Sequence, residues 1–255
     1  MSLVRIGSDP ETFLKDSTGR FISAVGLVGG SKDHPKPIGE GCFVQEDNVT
    51  VEFNTPPTAN EDDFVKYINY NLNYIINLAK EYDLTVIYEP SAEFDAEQLD
   101  SQGAQTFGCE PDFNAWNNGL PNPRPRNKNK ALRSAGGHIH IEAPELDKIA
   151  LVQAMDLFVG AQMLKFDTDT RRRGLYGKAG AFRPKSYGVE YRTASNAWLA
   201  TDDLKRWAFN QTQKAVAFVK EGKVIPEQLG NLLRVCINTS DTALLDEINI
   251  LAEAL

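Results

Sequence analysis

Histidine and cysteine are both scarce in this chain, three of each in 255 residues. The cysteines, Cys42, Cys109 and Cys236, are odd in number and too widely spaced for a disulfide framework, which suits a reducing compartment. No apolar run approaches the length of a bilayer crossing. The opening "MSLVRIGSDPETFL" lacks the apolar stretch of a secretory signal, so the expected location is the cytoplasm. The phosphate-cradling G-x-x-x-x-G-K-[ST] loop is missing, as are G-x-G-x-x-G and G-x-S-x-G. A P-loop and a nucleophile elbow are thereby excluded. A formal net charge of −8 argues against bulk attraction to nucleic acid or to an anionic lipid surface.

What is present is an ordinary globular composition, 42% hydrophobic and 24% charged, with enough apolar residues for a sizeable core. No internal repeat and no linker divides the chain, so a single domain over 1–255 is expected, helical from about residue 201. The opening segment reads as a strand broken by Pro10, and "GRFISAVGLVGG" as a second one. "GCFVQEDNVTVEFNTPP" alternates around Val49, Val51 and Phe53, as one half-buried strand does. Phe64, Ile68, Leu72, Ile75 and Ala79 fall at helical spacing behind Asn60, a suitable N-cap with acids in the first turn. "LTVIYEPSAEFD" reads as a strand, and the Pro-, Asn- and Gly-rich 103–133 as a long loop. A strand at "GHIHIEA" precedes one helix over "ELDKIALVQAMDLFVGAQMLKFD". Loop, strand and loop are expected in "AFRPKSYGVEYRTASNAWL". The class predicted is α+β, with a mainly antiparallel sheet.

Alternation also distributes the reactive residues. Asp9 and Glu11 are two apart and share a face if the backbone is extended; Glu52 shares one with Thr50 and Asn54. His138 and His140 share a face, with Ile139 and Ile141 behind them, and the glycines ahead leave space for something bulky. Zinc needs a third nitrogen or sulfur ligand that the cysteines and His34 are not spaced to supply. Carboxylates suit a hard divalent cation better. Each residue alone is equally compatible with a solvated strand position.

Basic residues cluster in "RRRGLYGKAGAFRPKSYGVEYRTASNAWL": Arg171, Arg172, Arg173, Lys178, Arg183, Lys185 and Arg192, with Glu190 the sole acid. Glycines 174, 177, 180 and 188 would let this stretch wrap a polyanion such as ATP phosphates, although a solvated basic loop is the plainer alternative. Arg124, Arg126, Lys128, Lys130 and Arg133 form a second basic stretch whose Pro/Asn setting suggests a flap; aromatic residues are too sparse for nucleic-acid binding.

In order, "IGSDPETFL", "VEFNTPP", "GGHIHI" and "YGVEYR" resemble strand motifs of the carboxylate–amine ligases (amidoligases) of the glutamine synthetase and glutamate–cysteine ligase superfamily. "FGCEPDFNAW" and "YGKAGAFRPK" resemble its phage-encoded branch. The resemblance implies a curved antiparallel sheet of the glutamine synthetase catalytic-domain type, with helices on its convex side. It implies ATP and Mg²⁺ (or Mn²⁺), an acyl-phosphate intermediate, and small-molecule or peptide carboxylate and amine substrates; it leaves the oligomeric state open. The first motif starts within ten residues of Met1, where glutamine synthetase has a separate amino-terminal domain. By resemblance Asp9, Glu11, Glu52 and Glu190 hold cations, and at least one of His138 and His140 touches metal or phosphate. Arg171, Arg173, Lys178, Arg183, Lys185 and Arg192 hold phosphates, and Arg173, Lys178, Glu190 and Arg192 act in catalysis. Glu190→Gln is then expected to abolish turnover with little effect on apo stability. A phosphotransferase, or an inactive nucleotide- and metal-binding protein, on the same scaffold are the alternatives.

Overall fold

The computed structural model describes residues 4–101, 104, 112–123 and 129–255. Cys109, Arg124, Arg126 and Lys128 lie outside these, as does most of "FGCEPD". The longest strand, β1 (Arg5–Lys15), is the hub of an eleven-stranded sheet. Before it in sheet order come β3 (Lys36–Gly39), β4 (Cys42–Asp47) and β5 (Thr50–Asn54). After it come β11 (Gly137–Glu142), β13 (Gly188–Tyr191), β12 (Ala181–Lys185), β8 (Phe113–Asn114) and β9 (Leu120–Pro121). β2 (Phe21–Ile22) and β6 (Thr85–Ile87) both pair with the end of β1, while β7 (Ser91–Glu93) and β10 (Leu132–Ser134) form a separate ribbon. Every described pairing is antiparallel.

Pro10 does not break β1. β1 pairs with β11 over Arg5–Pro10 and with β5 only at Glu11 and Thr12. Glu11 donates its N–H to Gly136 on the β11 side, so the alternate position 10 faces the other way, where no ladder bond is lost. The 42–57 segment is likewise two strands, because Asn48 takes φ 56 and turns the chain between Asp47 and Thr50. The strand expected after Lys185 is β13, but β12 pairs with it as a hairpin where loop was expected; β6 and β7 replace one strand, and 103–133 contains β8, β9 and part of β10.

Ile6, Ile139, Ile141, Val189 and Tyr191 form the apolar face of the sheet. Against it lie α1 (Glu61–Lys80) and α2 (Lys148–Met155), with α4 (Asp202–Lys220) packed across both helices. The predicted stripe Phe64, Ile68, Leu72, Ile75 and Ala79 is buried, and the Asn60 side chain accepts the Asp63 N–H as N-cap. α3 (Thr170–Leu175), α5 (Glu227–Thr239) and α6 (Leu245–Glu253) complete the helices; Leu229, Leu233, Cys236 and Ile248 of the last two share a smaller core with Leu157 and Leu164. The helix expected to run from Glu145 to Asp167 is interrupted by a π turn at Asp156–Gly160. There the buried Asp156 carboxylate accepts from Trp116 Nε1 at 2.6 Å and Tyr191 Oη at 2.7 Å. Burial still pushes its pKa up to about 6 against those donors. This contact latches the 112–122 segment to the sheet.

Candidate active site

The face opposite the helices carries the reactive residues, because β-strand side chains alternate. Register then sets neighbours: Glu11 stands opposite Glu52, Glu52 opposite Gln45, Asp9 opposite His138, and His140 opposite Glu190, which in turn faces Arg183. All of these but His140 line a cavity of about 590 Å³ that also takes in Asp47, Lys185, Arg192 and Lys32.

The cavity is divided by charge. At the β4–β5 end, Glu11 Oε2 accepts the Gly136 N–H at 2.8 Å and Glu52 Oε2 accepts from Gln45 at 2.9 Å. Burial pushes the Glu11 carboxyl up to about 7, aided by Asp47. Glu52 also lies well above the carboxylate range, through burial and then the nearby Asp9, Asp47 and Glu11 charges. These acids face one another, and Arg192 and Arg172 draw the Glu11 carboxyl down only in part.

The β12–β13 end is the reverse. Glu190 is 1% exposed, with Lys185 Nζ 2.7 Å from one oxygen, and with Arg192 and Arg183 on the other, Arg183 at 3.5 Å. Burial and Asp9 push its pKa up, but Arg192 and the two imidazoles prevail and bring it to about 2. Asp112 holds Arg192 from behind, with Nε 2.6 Å away.

Between the two ends lie Asp9 and the histidines. His140 Nε2 is 2.9 Å from Asp9 Oδ1, and His138 Nδ1 is 3.5 Å from the same oxygen. Burial alone would raise the Asp9 carboxyl; the imidazoles hold it below the usual range instead. Burial and then Arg192 lower the His138 pKa, whereas His140, despite burial, is raised by Asp9. The other His140 nitrogen meets the Tyr187 hydroxyl. Ligand atoms of Asp9, His138 and Glu190 all lie within 4.8 Å of one another, as a shared metal ion requires. Two carboxylates with one imidazole, and two further acids alongside, make a set suited to a hard divalent cation.

Asp9, Glu11, Glu52, His138, Arg183, Lys185, Glu190 and Arg192 thus line one cavity, and His140 borders it through Asp9. Arg171, Arg173 and Lys178 are not brought there. Arg173 is buried, 3.6 Å from Asp167 and 3.3 Å from the Asp169 carbonyl oxygen; Arg171 pairs with Asp169 at 3.1 Å; Lys178 is exposed. Arg172, 1% exposed, donates to the carbonyls of Ala135, Arg192, Thr193 and Ala194, tying the end of β13 to the entry of β11. Arg172→Lys should therefore lower unfolding free energy by about 3 kcal/mol in a urea melt, since a lysine leaves most of those carbonyls unsatisfied. An unchanged midpoint would mean that water replaces the fork.

Of the four glycines in the basic segment, 177, 180 and 188 are packed against neighbouring atoms, while Gly174 faces open space. A Cβ on Gly177 would sit 1.8 Å from Arg172 Nη1, and one on Gly136 would sit 2.2 Å from His138 Nε2. Both are glycine because a neighbouring side chain occupies the space. Charge alone would not single out Asp112, Asp47, Gln45, Lys32 or Tyr187. The turn signal at "EDNVT" could have paired Gln45 with Glu52; Asp112 has no such local signal, being brought in by the Trp116 latch.

No curated protein matches the chain. A family model does: residues 131–226, which contain both histidines, Glu190 and every arginine of the basic segment, match the phage phiEco32-like COOH.NH2 ligase-type 2 family. The resemblance to a phage-type carboxylate–amine ligase is thus shown over that region.

Proposed function

We propose that the protein is an ATP- and Mg²⁺-dependent carboxylate–amine ligase acting through an acyl phosphate, on a sheet of the glutamine synthetase catalytic-domain type. The observation that carries this is the split cavity: facing acids on β1 and β5 stand across Asp9 and His138 from Arg183, Lys185 and Arg192. Phosphoryl transfer needs both kinds of surface within reach of one triphosphate.

Asp9, Glu11, Glu52, His138 and Glu190 would hold the divalent cations, which when bound neutralise charge on the phosphates. The substrate carboxylate oxygen attacks the γ-phosphorus, and the bond to the bridging oxygen breaks with release of ADP. Arg183, Lys185 and Arg192 lie where negative charge then gathers on the transferred group. An uncharged amine next attacks the acyl carbon; the C–N bond forms, phosphate leaves with the C–O electron pair, and the amine loses a proton. Asp112 keeps the Arg192 guanidinium oriented meanwhile. Arg171, Arg173 and Lys178 have no part in these steps.

Purified protein should bind ATP in the presence of Mg²⁺ and hydrolyse it slowly without an acceptor. If it does neither, the proposal fails. ADP release with a single acceptor and a phosphorylated product, needing no amine, would make it a phosphotransferase instead.

A further inference from the structure

The two histidines of β11 point to one face of the sheet, yet their surroundings differ. His138 places Nδ1 3.2 Å from Arg192 Nη1 and 3.5 Å from Asp9 Oδ1. Among the described residues it is grouped with Asp9 and Glu190, their ligand atoms within 4.8 Å of one another, and His140 is outside that group. His140 Nε2 lies 2.9 Å from Asp9 Oδ1, with both atoms sealed from solvent, while Nδ1 meets the Tyr187 hydroxyl. An imidazole has only two nitrogens, so His140 keeps none for a cation or a phosphate oxygen.

The Tyr187 contact is built into the sheet. Tyr187 is one of two residues joining β12 to β13, since Lys185 pairs with Gly188. Gly188 also pairs with Glu142 of β11; its φ is 148°, and a Cβ there would collide with the Ile141 carbonyl oxygen. That close approach brings the turn down on β11, where the Tyr187 and His140 rings lie 6.1 Å apart. The hairpin that supplies Lys185, Glu190 and Arg192 to the cavity therefore also fixes the His140 ring. Asp9 gains most from this. The terminal torsion of an aspartate is broad, so an oxygen anchored from the side sets the plane of the carboxylate before any cation arrives.

We propose that His140 and Tyr187 are positioning residues for a divalent cation held by Asp9, His138 and Glu190. Tyr187 fixes the His140 ring, His140 fixes the Asp9 carboxylate, and His138 is the one imidazole ligand. The assignment rests on the divalent-cation part of the function proposed above. Two histidines of one motif thus have different tasks, one touching the cation and the other acting through a carboxylate.

Electron spin-echo envelope modulation of Mn²⁺ added to the metal-free protein tests this. Wild type should show one directly coupled imidazole nitrogen, lost in His138→Leu and retained in His140→Leu and Tyr187→Phe. Following the depth of that modulation against added Mn²⁺ gives the Kd of the coupled ion. His140→Leu should raise it about 10–100-fold and Tyr187→Phe about tenfold. His140→Gln, whose amide nitrogen can stand where Nε2 does, should recover most of the loss. In the His140→Leu background Tyr187→Phe should add nothing, because its effect passes through the ring. Tyr187→Phe, which removes only a hydroxyl, still decides the matter if His140→Leu does not fold. A second coupled imidazole, loss of the coupling in His140→Leu, an unchanged Kd in Tyr187→Phe, or a Tyr187→Phe effect that persists without His140 would each overturn the assignment while leaving cation binding in place. Wild type that binds no Mn²⁺ removes the metal-dependent ligase, and the positioning role with it.

Discussion

Glu190→Gln is expected to lower the unfolding free energy of the metal-free protein by about 3 kcal/mol at pH 7.5, and to cut Mg·ATP turnover by about 10²–10³-fold. The stability loss departs from what the sequence alone suggests, and the cause is burial. Glu190 is 1% exposed beneath Arg192, Arg183 and Lys185, so a neutral amide removes the buried carboxylate on which three cations converge. The sign follows from linkage. A carboxyl depressed to about 2 contributes stability that is complete above its ordinary range near 4.5 and is lost as pH falls toward 2. Urea melts of wild type and variant should therefore diverge at neutral pH and converge in acid. Coincident melts at pH 7.5 would show that the three cations do not depend on Glu190.

Glu52→Gln should do the opposite. It removes one of two carboxylates standing directly opposite each other, so the metal-free protein should gain about 1 kcal/mol at pH 7.5. The same substitution should abolish the stabilisation that Mg²⁺ or Mn²⁺ gives wild type, which at 100-fold over Kd is about 2.7 kcal/mol. Glu11 and Glu52 are raised, so their contribution is complete below about 4.5 and is lost as pH climbs through the folded values, about 7 for Glu11. His140 adds in the same direction and His138 opposes it, while the depressed Asp9 and Glu190 act only in stronger acid. Metal-free wild type should thus weaken between pH 5 and 7.5, less so in the variant, and divalent cation should flatten the slope. A variant that melts earlier than wild type, or that keeps the full cation shift, would place the metal elsewhere.

The acids and histidines were legible because period two is a strict rule. Asp9 with Glu11, His138 with His140, and Glu190 with Arg192 are each two apart, so each pair had to share a face once the strands formed. Position along the sheet was not legible, since it depends on pairings between distant residues, 41 apart for Glu11 and Glu52 and 129 apart for Asp9 and His138. The arginines show the limit from the other side. Arg172, Arg183 and Arg192 look alike as letters, yet Arg172 is consumed by four carbonyls and Arg183 and Arg192 meet carboxylates. Which fate an arginine meets depends on the backbone that passes it. Pro10 misled for a related reason: its missing N–H matters only if a neighbouring strand would have used it.

The place of β1 at the hub has a kinetic consequence. Its inner partner is β11, and Pro10 and Gly137, which pair, are 127 positions apart. At synthesis rates of about 5–20 residues per second, β1 emerges roughly 6–25 s before the strand that covers that side. During this interval Ile6 and the 5–10 ladder have no native partner on that side. Closing so long a loop is slow, so refolding should be limited by the β1–β11 pairing rather than by the helices. The strand that carries the first two acids is therefore also the one most in need of protection while the chain is being made.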